Sequence, residues 1–385
     1  MSGKLFGTSG IRGVVNKEIT PFLALDLGSS LATRARGGRI AVGMDTRVSS
    51  PMLENALVSG MIAGGCSVIE LGVVPTPVLA YLTRSLRCDA GVMITASHNP
   101  PEYNGMKLFA SNSMAYTDEE QTEIASLIQG QNFVQRDWDK LGSTVLREET
   151  DRYVDDMTNE TSFSKRWKVV LDPGCGATYD VAARVFKAVG CEVKTINAQP
   201  DGNFPGRSPE PSPENLADLC AVVKETGSDI GFAYDGDGDR FTVVGEKGEV
   251  FPLDKALAVY AGFAVKGSSG GLVVTTVEAS MVVDEAVRRA GGKVMRTAVG
   301  DVNVADSLVR YKAVFGGEPC GAWIHPKYHL CPDGVLSSLL FLKAVYKSGV
   351  SASEFLGEVQ SYPVIRSKFN CLNEKKEKVI RKVVG

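Results

Sequence analysis

Three aspartates alternating with glycines, Asp235-Gly236-Asp237-Gly238-Asp239, and a serine-histidine pair in Thr95-Ala96-Ser97-His98-Asn99-Pro100 are the residues here whose types and spacing could do chemistry. Ser97 offers a hydroxyl for nucleophilic or phosphoryl chemistry, His98 beside it can carry a proton, and Lys107 follows within a loop's reach. The glycines let the backbone turn tightly enough for three carboxylates to converge on one hard cation, without which they repel one another. An EF-hand would use Glu246 at its twelfth position, but Arg240 stands where its glycine belongs and Phe241-Thr242-Val243-Val244 reads as a strand, not a helix. A solvated acidic turn stays open beside the favoured reading, a Mg²⁺ site facing a phosphate, since Mg²⁺ usually keeps positions for waters and phosphate oxygens. The Ser97 segment by itself equally fits an ordinary Ser/Asn turn leading into a helix. A cation, a serine and a basic side chain, Arg240 or Lys107, together point to phosphoryl transfer. No Walker loop or Gly-x-Gly-x-x-Gly follows an expected strand, so a nucleotide donor is not expected.

These residues sit on a repeated plan. Arg39 to Asp45 reads as a strand, followed by a helical pattern through Met52, Leu57 and Met61, then Gly64-Gly65 and a second strand from Ser67 to Leu71. The order returns at Lys168 to Asp172 with Glu192 to Thr195, and again at Gly271 to Thr275 with Lys293 to Arg296. Each unit adds a third apolar strand, Gly91 to Ile94, Ile230 to Tyr234 and Ala313 to Phe315, and each of these runs into an unusual polar loop. The fold class expected is α/β: three consecutive similar α/β domains with mixed, mostly parallel sheets around a central cleft, each domain contributing one loop. The start of a fourth α+β domain is expected after them.

Bulk properties exclude several classes. The 385 residues allow two to four domains, and 44% hydrophobic with 23% charged residues describes an ordinary globular protein. A formal charge of −3, with both signs dispersed, provides no field for nucleic acid. The N-terminal Met1-Ser2-Gly3-Lys4 lacks a secretory pattern, and no apolar run reaches the roughly 18 residues of a membrane span. A cytoplasmic protein without membrane or nucleic-acid partners, monomer or homodimer, is expected. The eight scattered cysteines form no Cys-x-x-Cys pair and read as free, mostly buried thiols, not as disulfides or a zinc site.

Four motifs taken together resemble the α-D-phosphohexomutase superfamily: Phe6-Gly7-Thr8-Ser9-Gly10-Ile11-Arg12-Gly13, the Ser97 loop, the run from Asp235 to Arg240, and Gly317-Glu318, in that order. The resemblance implies that Ser97 carries a phosphoryl group and that Asp235, Asp237 and Asp239 hold Mg²⁺ with a phosphoserine oxygen. Ser97 would pass its phosphoryl to a hexose or hexosamine monophosphate, forming a bisphosphate that turns over and returns the other phosphoryl, so that C1 and C6 phosphates exchange. Lys107 matches the family's acid/base residue and Arg240 its phosphoryl-stabilising neighbour, while His98 would position the serine loop. Arg12, Gly300, Glu318 and Cys320 are the expected substrate contacts.

Two departures bear on the substrate. The family's sugar loop runs Glu-x-Ser-Gly-His, whereas Glu318-Pro319-Cys320-Gly321-Ala322 puts cysteine in the serine slot and lacks the histidine; His325 or His329 could replace it, or could be ordinary loop histidines. The Arg-x-Ser-Gly-Thr-x-Pro loop of the family's fourth domain is absent, so a truncated sequence is expected, with weaker substrate binding and slower turnover. The expected domains are 1–150 with the phosphoserine, 151–252 with the metal site, 253–358 for sugar recognition, and 359–385 opening a phosphate-binding domain through a strand and a charged helix. Thr297-Ala298-Val299-Gly300-Asp301 and the serine loop lie closer to the phosphoglucosamine mutase branch, so glucosamine phosphate leads. Mannose or glucose phosphate, a non-catalytic phosphosugar-binding fragment, and a phosphatase working through Ser97 are the alternatives.

Overall fold

The computed structural model describes residues 5–7, 10–268, 270–360, 362, 371, 375 and 379–382. The expected strand and helix within 361–380 lie for the most part outside these residues.

The first sheet is built from β1 (Ile11–Val14), β2 (Arg39–Met44), β3 (Ser67–Val73), β4 (Ala90–Ile94), β5 (Tyr103–Ala110) and β6 (Ser143–Leu146), in the order β1-β5-β4-β2-β3-β6. Helices α1 (Pro21–Ala35), α2 (Ser50–Ala63), α3 (Thr76–Ser85) and α4 (Asp118–Gly130) accompany it, and α5 (Thr150–Thr158) leads onward. The second sheet has β7 (Lys168–Asp172), β8 (Glu192–Thr195), β9 (Ile230–Tyr234) and β10 (Phe241–Gly245), ordered β10-β9-β7-β8, with α6 (Val181–Ala188) and α7 (Ala217–Glu225). After α8 (Leu253–Gly267), the third has β11 (Leu272–Thr276), β12 (Lys293–Thr297), β13 (Phe315–Gly317) and β14 (Trp323–Ile324), ordered β12-β11-β13-β14. It is accompanied by α9 (Val282–Arg289), α10 (Asp301–Tyr311), α11 (Gly334–Ser348) and α12 (Ala352–Gly357).

The strand order is the same in all three. β3-β2-β4-β5, β8-β7-β9-β10 and β12-β11-β13-β14 each run parallel across the first three strands and close with an antiparallel hairpin. The hairpin turns after β4, β9 and β13 are therefore equivalent, and they are the three polar loops read from the sequence. The α/β expectation of three mixed, mostly parallel sheets holds.

Several strands shift by one or two residues from the expected limits, and β13 shifts in the way that bears on the site. β13 begins at Phe315 and includes Gly316 and Gly317, which were expected to lie in the loop. A Cβ on Gly316 would meet Val304 at 2.7 Å and one on Gly317 would meet the Trp323 ring at 2.8 Å, so α10 and the Trp323 side chain pack directly on strand backbone.

The apolar faces of the three units merge. Side chains of α3, α5, α6, α8 and α11 join one core that runs from Val78 through Phe186 to Phe355, while a separate cluster fills the space between the first sheet and α1, α2 and α4. Helix α11 starts where the Asp333 carboxylate accepts from Leu336 N at 2.9 Å; its other oxygen accepts from Tyr153 Oη at 2.8 Å, which ties α5 to the third unit.

His325 follows β14 in this core. Its ring nitrogens face Ser337 Oγ at 2.9 Å and Tyr260 Oη at 3.4 Å, and burial pushes the imidazole down to about 3 from 6.5. The unfolded chain therefore binds a proton that the folded chain rejects, so stability is intact above pH 6.5 and is lost as pH falls toward 3. The loss is bounded at about 5 kcal/mol by 1.36 kcal/mol per pKa unit. The variant His325→Gln should lose melting temperature less steeply between pH 6.5 and 4 than the parent protein; parallel slopes would refute this.

Candidate active site

The Ser97 loop leaves β4 and the aspartate loop leaves β9, and the two meet. Ser97 Oγ donates to Asp235 Oδ2 at 2.7 Å and lies 3.2 Å from His98 Nδ1. Ser97 itself has φ 51°, a left-handed conformation uncommon for serine. The aspartate loop needs its glycines for two different reasons. Gly238 adopts φ 75°, and a Cβ on Gly236 would stand 2.6 Å from the Ser97 carbonyl oxygen.

Asp235, Asp237 and Asp239 are buried, and one ligand oxygen from each lies within 4.8 Å of the others. Burial, then the neighbouring Asp237 and Asp239 charges, hold the Asp235 carboxyl well above its ordinary range. Asp237 goes the other way: burial works against its charge, but Thr76, Lys107 and Arg12 prevail and keep it ionised. Asp237 Oδ1 and Asp239 Oδ1 are buried with no hydrogen-bond partner. Carboxylate oxygens converging from three residues, two of them without a hydrogen-bond partner, fit a hard, oxygen-seeking cation, so the donor set forms a candidate metal site.

Lys107, on β5, bridges two units. Its Nζ donates to Asp301 Oδ2 at 2.7 Å and lies 3.4 Å from Asp239 Oδ2. Burial alone would lower its pKa, but the Asp301 and Asp239 carboxylates outweigh it and raise it, so Lys107 is an ammonium here. His98 is driven toward the neutral form by burial and by the Arg240 and Arg12 charges, which outweigh Glu210. Arg240 spans Asp239 Oδ1 at 3.9 Å and Glu210 Oε2 at 3.8 Å, and its backbone N–H reaches Asp235 Oδ1 at 3.1 Å. The Nε of Arg12, on β1, is buried without a partner.

The third loop brings Glu318 to the same cleft. Glu318 Oε1 accepts from Gly300 N at 2.8 Å, and Gly300, at φ 127°, precedes Asp301. Burial raises the Glu318 carboxyl, partly opposed by Gly300 N–H. Cys320 Sγ sits 3.8 Å from Glu318 Oε2, and burial pushes that thiol up to about 12, so it is neutral. His329 pairs with Asp333 at 2.8 Å, and His325 is held as described, so neither enters the Glu318 loop.

Ser97, His98, Lys107, Arg240 and the three aspartates thus form one cluster, and Glu318, Cys320 and Gly300 form a second, linked to it through Asp301 and Lys107. Two contributors were not read from the sequence. Thr76, opening α3, donates from its hydroxyl to Asp237 Oδ2 at 2.5 Å and from its backbone N–H to Asp237 O at 2.8 Å. Nothing in Pro75-Thr76-Pro77 signals that role. Asp301 closes the Thr297 to Asp301 segment, and its pairing to Lys107 depends on a contact 194 residues away.

The phosphoglucomutase/phosphomannomutase α/β/α domains I, II and III match residues 3–135, 151–248 and 253–362. The chain belongs to that family, within the α-D-phosphohexomutase superfamily. It is a phosphohexomutase, an isomerase that moves a phosphoryl group within a sugar. A probable phosphoglucosamine mutase of Methanobrevibacter smithii is 45% identical over 379 residues, 98% of this chain and 83% of that protein. One from Methanothermobacter thermautotrophicus is 46% identical over 383 residues, 99% of this chain and 84% of that protein. The crystal structure of a phosphoglucomutase/phosphomannomutase family protein from Burkholderia thailandensis is similar at TM-score 0.86 and 30% identity, covering 93% of this chain and 80% of that one.

A cation that binds this triad and not the unfolded chain stabilises the fold by about 2.7 kcal/mol at 100 times its dissociation constant. Titrating Mg²⁺ into the EDTA-treated phosphohexomutase should raise its melting temperature, and Asp239→Asn should remove most of the rise. An unchanged melting temperature, or an equal rise in the variant, would refute the site.

Proposed function

We propose that the chain interconverts a hexosamine 6-phosphate and 1-phosphate through a phosphoserine at Ser97, with Mg²⁺ on Asp235, Asp237 and Asp239. The observation carrying this reading is the 2.7 Å contact between the Ser97 hydroxyl and a carboxylate of the triad. Bound there, Mg²⁺ would neutralise charge on the transferring phosphoryl group. It suits the site because the donors are all hard oxygens.

The roles follow from where each side chain sits. A sugar hydroxyl attacks the phosphorus, the bond to Ser97 Oγ breaks, and the sugar leaves with two phosphates. After the bisphosphate turns over, Ser97 Oγ takes the other phosphoryl group and the sugar oxygen leaves with a proton. Lys107, an ammonium here, is the group placed to donate that proton, and it accepts the proton of the attacking hydroxyl in the first transfer only once it has released its own. Arg240, paired to Asp239 and Glu210, faces the transferring group, while neutral His98 holds the hydroxyl without adding charge. Arg12, its Nε unpartnered, is placed for a phosphate oxygen. Glu318 keeps Oε2 available for sugar hydroxyls beside Gly300 and Cys320.

Glucosamine phosphate is favoured by the names of the relatives at 45% and 46% identity. Mannose and glucose phosphates differ by few contacts around Glu318. The buried thiols Cys66, Cys88, Cys175, Cys191 and Cys331, with no disulfide among the described residues, support a reducing, cytoplasmic setting. Among the described residues no helix is long and apolar enough to cross a membrane.

Incubation with Mg²⁺ and glucose 1,6-bisphosphate should add one phosphoryl group to the Ser97 peptide by mass spectrometry. Ser97→Ala should abolish both that mass shift and isomerisation, and Lys107→Ala should lower kcat by about 10² to 10⁴, the usual range for a general acid-base. An unmodified Ser97 in an active enzyme would overturn the phosphoserine reading.

A further inference from the structure

Ser97 is aimed by its backbone, and the groups holding that backbone belong to a residue outside the machinery described so far. Arg47 follows β2 and is buried, with a relative exposure of 1%. Its Nη1 donates to the carbonyls of Pro100 at 2.6 Å and Tyr103 at 2.9 Å, and its Nη2 to those of Ser97 at 2.9 Å and Asn99 at 2.7 Å. Its Nε pairs with Asp45 Oδ2 at 2.9 Å. The same Asp45 oxygen accepts from Thr95 Oγ1 at 2.8 Å, and Thr95 Oγ1 accepts from Ser97 N at 2.8 Å. Both ends of the Ser97 residue are therefore anchored to one buried ion pair, its N–H through Thr95 and its carbonyl through Arg47. That double anchor holds the φ of 51° at a residue that does not favour it.

The second unit closes over this clamp. The Phe204 ring lies over the Arg47 guanidinium at 5.1 Å. A Cβ on Gly202 would stand 2.4 Å from Thr46 O and 2.6 Å from the Arg47 Cα, so the loop backbone rests against the Arg47 segment. Thr46 Oγ1 also donates to Cys175 O at 3.0 Å.

We infer that Arg47 is the positioning residue of the phosphoryl-carrying serine: its four carbonyl contacts fix the Ser97 turn against the aspartate loop, and Phe204 covers the guanidinium that makes them. This rests on the phosphoserine reading above. A planar fork of donors fixed at one angle can reach four carbonyls while pairing with a carboxylate; a lysine ammonium at the same place has three donors and no plane for Phe204 to cover. Small displacements of a nucleophile cost rate more than affinity when substrate contacts lie elsewhere.

The test uses the full chain with Mg²⁺, glucose 1,6-bisphosphate as phosphoryl donor and glucosamine 6-phosphate as substrate, comparing the parent with Arg47→Lys and Arg47→Ala. Arg47→Lys should fold, lose at least about 30-fold in kcat with KM within about threefold, and slow Ser97 phosphorylation by the same factor, as a positioning role requires. Guanidinium at millimolar concentration should restore at least several-fold of the activity lost in Arg47→Ala, and an equal concentration of NaCl should not. A kcat of Arg47→Lys within threefold of the parent, or a loss seen only in KM or melting temperature, overturns the inference. Should neither Arg47 variant fold, Phe204→Ala decides: kcat reduced several-fold at unchanged KM supports the clamp, and parental kcat overturns it. The two readings fail separately. A parent protein that stays unphosphorylated at Ser97 defeats the phosphoserine reading, whereas equal phosphorylation rates in parent and Arg47→Lys defeat only the role of Arg47.

Discussion

Three carboxylates in one buried volume are the constraint around which the rest of this molecule is arranged. Two unit charges about 4 Å apart repel by about 4 kcal/mol at an effective dielectric of about 20, and that repulsion, with burial, is what holds the Asp235 carboxyl toward its protonated form. The fold therefore surrounds it with donors from the first two units, the Ser97 hydroxyl, Thr76 and Lys107 from the first and the Arg240 N–H from the second, while Asp301 of the third accepts from Lys107. Two carboxylate oxygens remain without hydrogen-bond partners even so. A site left short of positive charge in this way attracts both a cation and the phosphates that a cation can share.

The repeated strand order explains how those donors arrive together. In each sheet the loop in question leaves the third parallel-type strand and returns as its antiparallel neighbour, so its tip is held at both ends by ladder hydrogen bonds. Rigid tips projecting from three similar sheets can be brought within hydrogen-bond reach only if the units themselves are packed firmly. The shared core through α3, α5 and α11, with Asp333 joining Tyr153 to the start of α11, supplies that packing. Lys107 then links the first unit to the third across the cleft, and the Ser97–Asp235 contact links the first to the second.

Much of this was legible in the sequence because the informative signals were local. Strand-helix-strand periodicity located the sheets within a few residues, since a buried parallel strand must be an apolar run and its loop must be polar. The Asp-Gly alternation announced the triad for a similar reason: the intervening glycines let a tight turn bring three carboxylates together over five residues. Gly316 and Gly317 were misplaced because glycine in a strand looks like a loop until the helix that presses on it is known. Thr76, Asp301 and Arg47 escaped notice because their roles are defined by partners 161, 194 and 50 residues away, and a threonine or an arginine carries no mark of such a partner. Arg47 and Asp45 left one trace, a pair of opposite charges at the carboxyl end of a strand whose residues from Ile40 to Met44 are all apolar.

The altered sugar loop can be understood in the same physical terms. Replacing a serine and a histidine by Cys320 and Ala322 removes two strong hydrogen-bonding groups, and the thiol that remains is neutral and a weak donor. His325 and His329 do not compensate, because each already holds a partner in the core. On the reading proposed, recognition on this side of the cleft would rest on Glu318, whose one oxygen is fixed by Gly300 N–H and whose other lies 3.8 Å from the Cys320 thiol. A buried carboxylate in that position favours any group that brings it two donors or a positive charge, and rejects a sugar that leaves it unpaired. An amino sugar offers more of what Glu318 lacks than a neutral hexose does, which agrees with the substrate proposed from the serine loop and the Thr297 to Asp301 segment.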